Sequence, residues 1–327
     1  MIVALFRRAI WYYMLLLLPY AVLVRLQGFL FAAPIRYSIK GPLYEIVDAF
    51  LYKHPLFSAI FATLLVFIQA VWLNKFFIVH RFTDRSTLLP GLFFIPLSSL
   101  TLEQLQAGPA AIGLIFVLYS LHYFFFIGEK FYTARYLFNS GFALAIAALF
   151  YPPYFHLLWW VPLGLLLLRN LRMKLFFQWL GGFVVVYYLI GVVAVVLQNP
   201  DLWKNSLPNA PGLEVFYSPI RPTDSYVLLL YIAVMGIFLL LFRRRKLRMV
   251  YKQRKKWTAF WWLMAFALLC FLSLSYFETQ FFLLLAVFTA SGLGLATVQM
   301  KNWTVVEIMH LALIVAIVYL QHIQLNA

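Results

Sequence analysis

Long apolar stretches recur along nearly the whole chain, and each is closed by charged residues, proline or glycine. A bilayer is crossed by helices of about 20 apolar residues, because every backbone N–H and C=O group must be satisfied inside the segment. Charged residues make up 11% of the 327, against roughly 25% in soluble domains. The candidate helices lie at 9–25, 56–74, 87–102, 109–127, 137–151, 154–168, 175–197, 226–242, 257–275, 280–298 and 304–321. The sequence therefore predicts an all-α polytopic transmembrane helix bundle of about eleven spans, with residues 1–327 forming a single integral membrane domain.

Three of these segments are short for a membrane crossing, namely 87–102, 137–151 and 154–168. The last two are separated by Pro152-Pro153. A proline pair of this kind is typical either of a tight turn between two helices or of a re-entrant hairpin. Both arrangements stay open at the level of sequence.

The basic residues are distributed unevenly between alternate loops. Lys and Arg number 26 against ten Asp and Glu, a net charge of +16, which on a soluble protein would suggest a nucleic-acid partner. Here the densest cluster lies in 243–256, between two apolar stretches, as the positive-inside rule expects of a cytoplasmic loop. With the N-terminus in the cytoplasm, twenty basic residues fall on that side and seven of the acids on the other. We therefore predict an N-terminus inside, a C-terminus outside and no nucleic-acid partner.

The same assignment places two long loops, 26–55 and 198–225, outside the cytoplasm. Both mix proline, glycine, aromatic and charged residues. The basic loop 243–256 has a second interpretation besides orientation, because a juxtamembrane cluster also docks anionic lipid or a protein partner. Membrane lipids are predicted partners in either case, and the bacterial inner membrane is the predicted location.

Two carboxylates in the first outer loop are candidate catalytic groups. Glu45 and Asp48 stand at i and i+3, so a helical turn would present both on one face. Transfer of a sugar from a polyprenyl-phosphate donor needs a carboxylate base near the membrane surface, and guanidinium and ammonium groups suit the donor phosphate. The basic candidates for this role in the same region are Arg25, Arg36 and Lys40. The competing interpretation is the solvated face of an interfacial helix.

Two further residues extend the candidate substrate-binding set, Arg221 in the second outer loop and Glu278 at the start of the tenth segment. An acid at the N-terminus of a helix is also stabilised by the helix dipole. Glu278 is therefore either such a helix N-terminal acid or a residue that faces a cavity.

The sequence predicts no cofactor and no metal site. Glu307 and His310 have the Glu-x-x-His spacing of carboxylate-bridged di-metal proteins, but such a site needs a second copy and two more glutamates. Walker, dinucleotide-binding, nucleophile-elbow and His-Glu-x-x-His motifs are absent from the sequence. ATP-driven transport and the common hydrolase chemistries are set aside for this reason.

Several short motifs occur in an order that is typical of one protein family. They are Leu73-Asn74-Lys75, Leu88-Leu89-Pro90, Phe138-Asn139-Ser140-Gly141, Ala148-Leu149-Phe150-Tyr151, Phe277-Glu278 and Trp303-Thr304-Val305-Val306-Glu307. With them the chain, from about 55 to 310, resembles an uncharacterised multi-pass inner-membrane protein family of Bacteroidota, a domain of unknown function. An acidic residue of that pattern is replaced by Asn139. The resemblance implies lineage and location in the inner membrane, and it implies no mechanism.

Three classes of function follow. The leading hypothesis is an enzyme of the cell envelope, a membrane glycosyltransferase or glycan polymerase that acts on a lipid-linked glycan at the outer face. The second is a transporter or lipid flippase, suggested by polar residues within spans such as His122. The third is a non-catalytic assembly partner of an envelope complex that docks through 243–256.

Overall fold

The computed structural model describes residues 2–83, 86–127, 133–168, 172–209, 212, 214–218, 221–246, 250–298, 300 and 302–326. Within these ranges the secondary structure is helical, and they contain no β-strand. Proline opens several helices, where its fixed φ suits the first turn and its missing N–H has no intrahelical partner to lose. Pro42, Pro55 and Pro109 occupy this position.

The helices in chain order are α1 Ile2–Phe6, α2 Trp11–Leu15, α3 Leu17–Val24, α4 Leu26–Leu30, α5 Pro42–Lys53, α6 Pro55–Val79, α7 Leu89–Leu97, α8 Pro109–Phe124, α9 Thr133–Phe150, α10 Trp160–Leu167, α11 Met173–Val196, α12 Asp201–Lys204, α13 Glu214–Tyr217, α14 Pro222–Lys246, α15 Tyr251–Leu272, α16 Phe282–Thr297 and α17 Trp303–Asn326. Three 3-10 segments accompany them, at Glu103–Leu105, Pro152–Trp159 and Thr279–Phe281.

Six helices in the described ranges are long and apolar enough to cross a bilayer, which indicates a membrane-embedded protein. They are Pro55–Val79, Thr133–Phe150, Met173–Val196, Tyr251–Leu272, Thr279–Thr297 and Trp303–Leu325. The other apolar segments form shorter helices. The segment predicted at 9–25 is divided into α2 and α3, and the segment predicted at 87–102 is helical only over α7, which contains Pro96.

The first helices run alternately between two ends of the bundle. Ser58 Oγ accepts a hydrogen bond from Ala107 N–H at 3.0 Å, and His80 Nε2 lies 3.3 Å from His122 Nδ1. These contacts place α6 and α8 parallel to each other. We call the end that contains His80 and His122 the basic end, because Lys256 donates to His80 O there at 2.9 Å.

Helix α7 runs in the opposite direction to α6. At its start, Gly91 N–H donates to Asn74 Oδ1 at 2.7 Å. Beyond its end, Ser98 O and Thr63 Oγ1 both accept hydrogen bonds from Arg25. We call the end that contains Arg25 the acidic end, because several carboxylates lie near it.

The chain reverses its direction at Pro152-Pro153. Tyr154 hydroxyl donates to Ala110 O near the acidic end, at 3.1 Å. At the other end of the same segment, Gly164 packs against the Phe124 ring. The 3-10 segment Pro152–Trp159 and α10 therefore run together alongside α8, away from the end of α9. A re-entrant hairpin would turn back inside the bundle, whereas Tyr154, directly after Pro152-Pro153, lies beside the start of α8 near the acidic end.

The C-terminal helices close the bundle. Glu307 accepts a hydrogen bond from Val3 N–H at 3.2 Å, while Gln324 Oε1 accepts one from Leu102 N–H at 2.9 Å. Helix α17 thus runs from the N-terminal segment to the acidic end. Helix α16 is surrounded by other helices, and almost every one of its residues is buried. It forms the centre of the hydrophobic core.

Candidate functional site

A polar cleft of about 440 Å³ opens at the acidic end. It is built by four stretches of chain that lie far apart in the sequence: the loop before α5, the 3-10 turn after α7, the start of α14 and the loop before α16. The lining residues are Arg36, Tyr37, Ser38, Glu103, Arg221, Asp224, Tyr276, Phe277, Glu278 and Thr279. Such a mixture of carboxylates and guanidinium groups is uncommon inside an apolar bundle, so the cleft is the strongest candidate site in the described part of the chain.

Glu103 occupies one wall of this cleft. Its carboxylate lies 3.7 Å from Arg221 Nη1 and accepts a hydrogen bond from the Thr279 hydroxyl. Its backbone carbonyl accepts from Tyr37 hydroxyl at 3.1 Å and from Gln280 Nε2 at 3.0 Å. The backbone of Glu103 is therefore held from two sides, while 30% of its side chain stays exposed to the cleft.

Glu278 forms the floor of the cleft and is only 7% exposed. Tyr151 hydroxyl donates to Glu278 Oε2 at 3.1 Å. Burial raises the pKa of Glu278 to about 8, and the nearby charge of Glu103 acts in the same direction. Hydrogen bonds from Tyr151 and from the Ile39 backbone N–H oppose the shift without cancelling it. The shift favours the protonated form of this carboxyl at neutral pH.

Two arginines line the cleft together with the carboxylates. The Arg221 side chain is 76% exposed, so its ion pair with Glu103 is open to solvent and to a ligand. The Arg36 guanidinium lies over the Tyr52 ring, 4.8 Å from its centre. Asp224 stands in the first turn of α14 and is partly buried at the same cleft. With Glu278 protonated, the two arginines balance Glu103 and Asp224.

The predicted catalytic pair does not line the cleft. Glu45 and Asp48 lie on α5, as the i, i+3 spacing indicates. Asp48 forms an ion pair with Lys40, and Glu45 Oε1 lies 3.5 Å from Asn205 Nδ2. These contacts tie α5 to the loops around it. Of the predicted residues, the structure brings Arg36, Arg221 and Glu278 together and leaves Glu45, Asp48 and Lys40 outside.

Arg25 was predicted to bind substrate, but it is 1% exposed and belongs to the packing of the bundle. Its guanidinium donates to Thr63 Oγ1 at 3.2 Å, to Ser98 O at 3.2 Å and to Ser99 Oγ at 3.0 Å. It also donates to Gln104 O. These bonds connect α6 to the turn that contains Glu103. Arg25 therefore stabilises the wall of the cleft from inside the bundle.

Glu103 and Asp224 were not predicted as site residues. Both stand where an apolar run meets a predicted outer loop, and both belong to the seven acids assigned to the outer side. That excess of acids on one side was a usable signal. The choice of Glu45 and Asp48 rested on their local spacing, which carries no information about residues that converge through tertiary folding.

Other polar candidates are occupied by internal contacts. His310 Nε2 lies 2.9 Å from Tyr20 hydroxyl, and Glu307 binds the backbone of Val3. His122 contacts His80 at the basic end. For the loop 243–256, the side chains of 243–246 and residues 247–249 lie outside the described residues, and the Lys255 ammonium lies 5.0 Å from the centre of the Tyr251 ring.

Searches against protein-family models, curated proteins and solved structures find no match to this chain. The resemblance to the Bacteroidota family of unknown function therefore stays a prediction. The geometry of the cleft is the remaining indication of function.

Proposed function

We propose that the protein crosses a bacterial inner membrane eleven times, with the basic end in the cytoplasm and the cleft at the outer face. The alternating contacts between helix ends support this count. Four crossings then use segments shorter or more broken than a standard span, among them α7 and the Pro152–Leu167 segment, while α14 is a continuous helix of 25 residues. Such segments are tolerated in a membrane where they are enclosed by protein. The basic loop 243–256 and Lys256 at the basic end support the orientation.

We infer that the cleft is the reaction site of an enzyme that acts on a lipid-linked glycan, of the polyprenyl-phosphate type. The observation that carries this proposal is the meeting of Arg36 and Arg221 with Glu103 at one end of an apolar bundle. Guanidinium groups bind phosphate through paired, charge-assisted hydrogen bonds. A substrate whose phosphate lies at the membrane surface and whose chain lies in the bilayer suits a cleft in this position.

The reaction that fits these groups is transfer of a glycosyl unit. An acceptor hydroxyl attacks the anomeric carbon of the donor, and the bond between that carbon and the phosphate oxygen breaks. Its electron pair leaves with the polyprenyl phosphate, whose charge Arg36 and Arg221 stabilise. The proton of the acceptor hydroxyl passes to the Glu103 carboxylate, which acts as the general base. Protonated Glu278 keeps the floor of the cleft from repelling the phosphate.

The test uses purified protein in liposomes and a panel of citronellyl-phosphate hexoses, with a cell-envelope extract as the source of acceptors. Consumption of the short-chain donor is followed by mass spectrometry. Glu103→Gln should lower kcat by about a hundredfold or more, as expected for loss of a general base. Arg221→Gln should raise KM. Glu45→Gln is the matched control, an acid of the same end outside the cleft, and should keep the wild-type rate.

Two results would overturn the proposal. One is a folded wild-type protein that consumes no donor above protein-free liposomes. The other is a Glu103→Gln variant with the wild-type rate. Lipid movement across the liposome without donor consumption, lost on His122→Ala, would point to the flippase hypothesis instead. Loss of co-purifying partners on neutralising 243–256 would point to the assembly hypothesis.

A further inference from the structure

Two consecutive residues before α16 hold Glu103 at the wall of the cleft. The Thr279 hydroxyl donates to Glu103 Oε2, and Gln280 Nε2 donates to the Glu103 carbonyl oxygen at 3.0 Å. Thr279 is 3% exposed and Gln280 is fully buried, so both bonds lie where the local dielectric is low and hydrogen bonds are strong. Glu103 is therefore fixed at its backbone and at one of its two carboxylate oxygens.

The two carboxylate oxygens of Glu103 have different surroundings. Oε2 accepts the hydrogen bond from Thr279. Oε1 lies 3.7 Å from Arg221 Nη1, which is beyond the distance of a direct hydrogen bond. The Arg221 side chain is 76% exposed and that of Glu103 is 30% exposed, so this side of the carboxylate is open to the cleft. Oε1 is therefore the oxygen whose lone pairs a substrate can reach.

The Thr279 hydroxyl is itself held in one orientation by buried neighbours. The Thr101 hydroxyl donates to Thr279 Oγ1 at 3.3 Å, and Thr101 Oγ1 accepts from Gln104 N–H at 3.3 Å. Gln104 Nε2 also donates to the Thr279 carbonyl oxygen at 2.9 Å. A hydroxyl carries a single hydrogen, so the bond received from Thr101 directs the hydrogen of Thr279 toward Glu103. A chain of donors therefore ends at the Glu103 carboxylate.

We propose that Thr279 is a positioning residue for the glycosyl transfer proposed above, on which this inference rests, and that the proton of the acceptor hydroxyl goes to Oε1 of Glu103. The bond from Thr279 fixes the plane of the carboxylate and leaves Oε1 turned to the cleft. There the acceptor O–H bond breaks, its electron pair forms the new bond to the anomeric carbon, and the proton binds Oε1. Arg221, which is only loosely paired with Oε1, binds the donor phosphate.

The bond from Thr279 also acts on the charge of the base. A hydrogen bond donated to the charged form of an acid favours that form, and a general base must be ionised before it accepts a proton. Loss of the Thr279 hydroxyl should therefore have two effects. Oε1 is misplaced, which lowers kcat, and the pH dependence of kcat moves to higher pH. A residue that merely supported the fold would lower the amount of folded protein without moving that pH dependence.

The test follows consumption of a citronellyl-phosphate hexose by the protein in liposomes as a function of pH. Thr279→Val should lower kcat about tenfold or more at unchanged KM, and should move the acid limb of the kcat profile up by about one pH unit. Thr279→Ser keeps the hydroxyl and should restore both values. Thr289→Val is the matched control, because Thr289 is a buried threonine of α16 whose hydroxyl donates to Leu285 O in its own helix, at 2.9 Å.

A wild-type kcat in Thr279→Val, or a lower kcat with an unmoved acid limb, would overturn the role of Thr279 while leaving the enzyme proposal intact. If the wild-type protein consumes no donor, the enzyme proposal fails, and infrared spectroscopy decides the contact separately. The carboxylate band of Glu103, identified by subtracting the spectrum of Glu103→Gln, should titrate about one pH unit higher in Thr279→Val than in the wild type. Equal midpoints would overturn the inference. Thr279→Ala, which also lacks the hydroxyl, replaces Thr279→Val if the latter does not fold.

Discussion

Tyr151, next to the C-terminus of α9, donates its hydroxyl hydrogen to the carboxyl of Glu278 at 3.1 Å, across 127 positions of the sequence. Both side chains are buried. The contact joins the carboxyl at the floor of the candidate cleft to the core of the bundle. Burial raises the pKa of this carboxyl, the Tyr151 hydrogen bond opposes that rise only in part, and a pH dependence of stability follows from the shift.

Raising the pH should destabilise the folded protein through Glu278. In the folded state its pKa is about 8, whereas the ordinary value is 4.5. Between these two values unfolding releases a proton, so the stabilisation is complete below about pH 4.5 and is lost as the pH rises through 8. The slope from one proton is at most about 1.4 kcal/mol per pH unit.

Thermal midpoints in detergent across this pH range check the prediction. Glu278→Gln should flatten the dependence, while Glu45→Gln, an exposed acid, should leave it unchanged. Identical slopes for wild type and Glu278→Gln would contradict the assignment.

Arg25→Ala should destabilise the protein by more than about 3 kcal/mol. The substitution leaves Ser98 O and Gln104 O without the donor that now binds them, in a place where water does not replace it. Arg36→Ala, an exposed arginine of the same end, should change stability by less than about 1 kcal/mol. Thermal midpoints of the purified variants make the comparison, and equal midpoints for the two variants would refute the buried role.

Gly182→Ala should weaken the contact between α9 and α11. A Cβ atom at Gly182 would lie 2.1 Å from Phe138 O, so the two helices must separate, at a cost of about 1–3 kcal/mol. The neighbouring Gly181 offers a matched control, because a Cβ atom there meets nothing within 4 Å. Gly181→Ala should be neutral or stabilising by up to about 1 kcal/mol, since alanine favours the helix. A lower midpoint for Gly181→Ala than for Gly182→Ala would contradict this packing.

Reporter fusions should place Asp224 and Gln253 on opposite sides of the membrane. The prediction follows from helix α14, which separates them, and from the basic residues of 243–256. Alkaline phosphatase should be active when fused at Asp224, and green fluorescent protein should fluoresce when fused at Gln253. Activity of the same reporter at both positions would remove the proposed orientation.

The helical class and the approximate positions of most helices were predictable, because hydropathy, proline and glycine act locally along the chain. The interpretation of Pro152-Pro153 as a turn between two helices agrees with the contacts at both ends of Pro152–Leu167. The subdivision of the first segment was not predicted. Leu16 separates its two helices, and leucine is not a helix breaker by type.

The membership of the cleft was harder to predict. Glu103, Asp224 and Glu278 converge because α7, α14 and α16 meet at one end of the bundle, and single-sequence periodicity does not encode which helices are neighbours. The burial of Arg25 was not predicted for the same reason. A lone arginine at the end of an apolar run is typical of an interface anchor, and only the surrounding carbonyl groups reveal that it is enclosed.

The brevity of α7 has a consequence for how the chain is made. Its nine residues extend about 14 Å, less than half the thickness of a hydrocarbon core. During synthesis such a segment has too little apolar length to enter the lipid phase by itself. Its insertion must depend on packing against helices that are already in the membrane. Helix α6 is the first of these, because Asn74 binds the start of α7. A substitution that removes this contact should therefore lower the amount of protein that accumulates in the cell more than it lowers the activity of the protein that is purified.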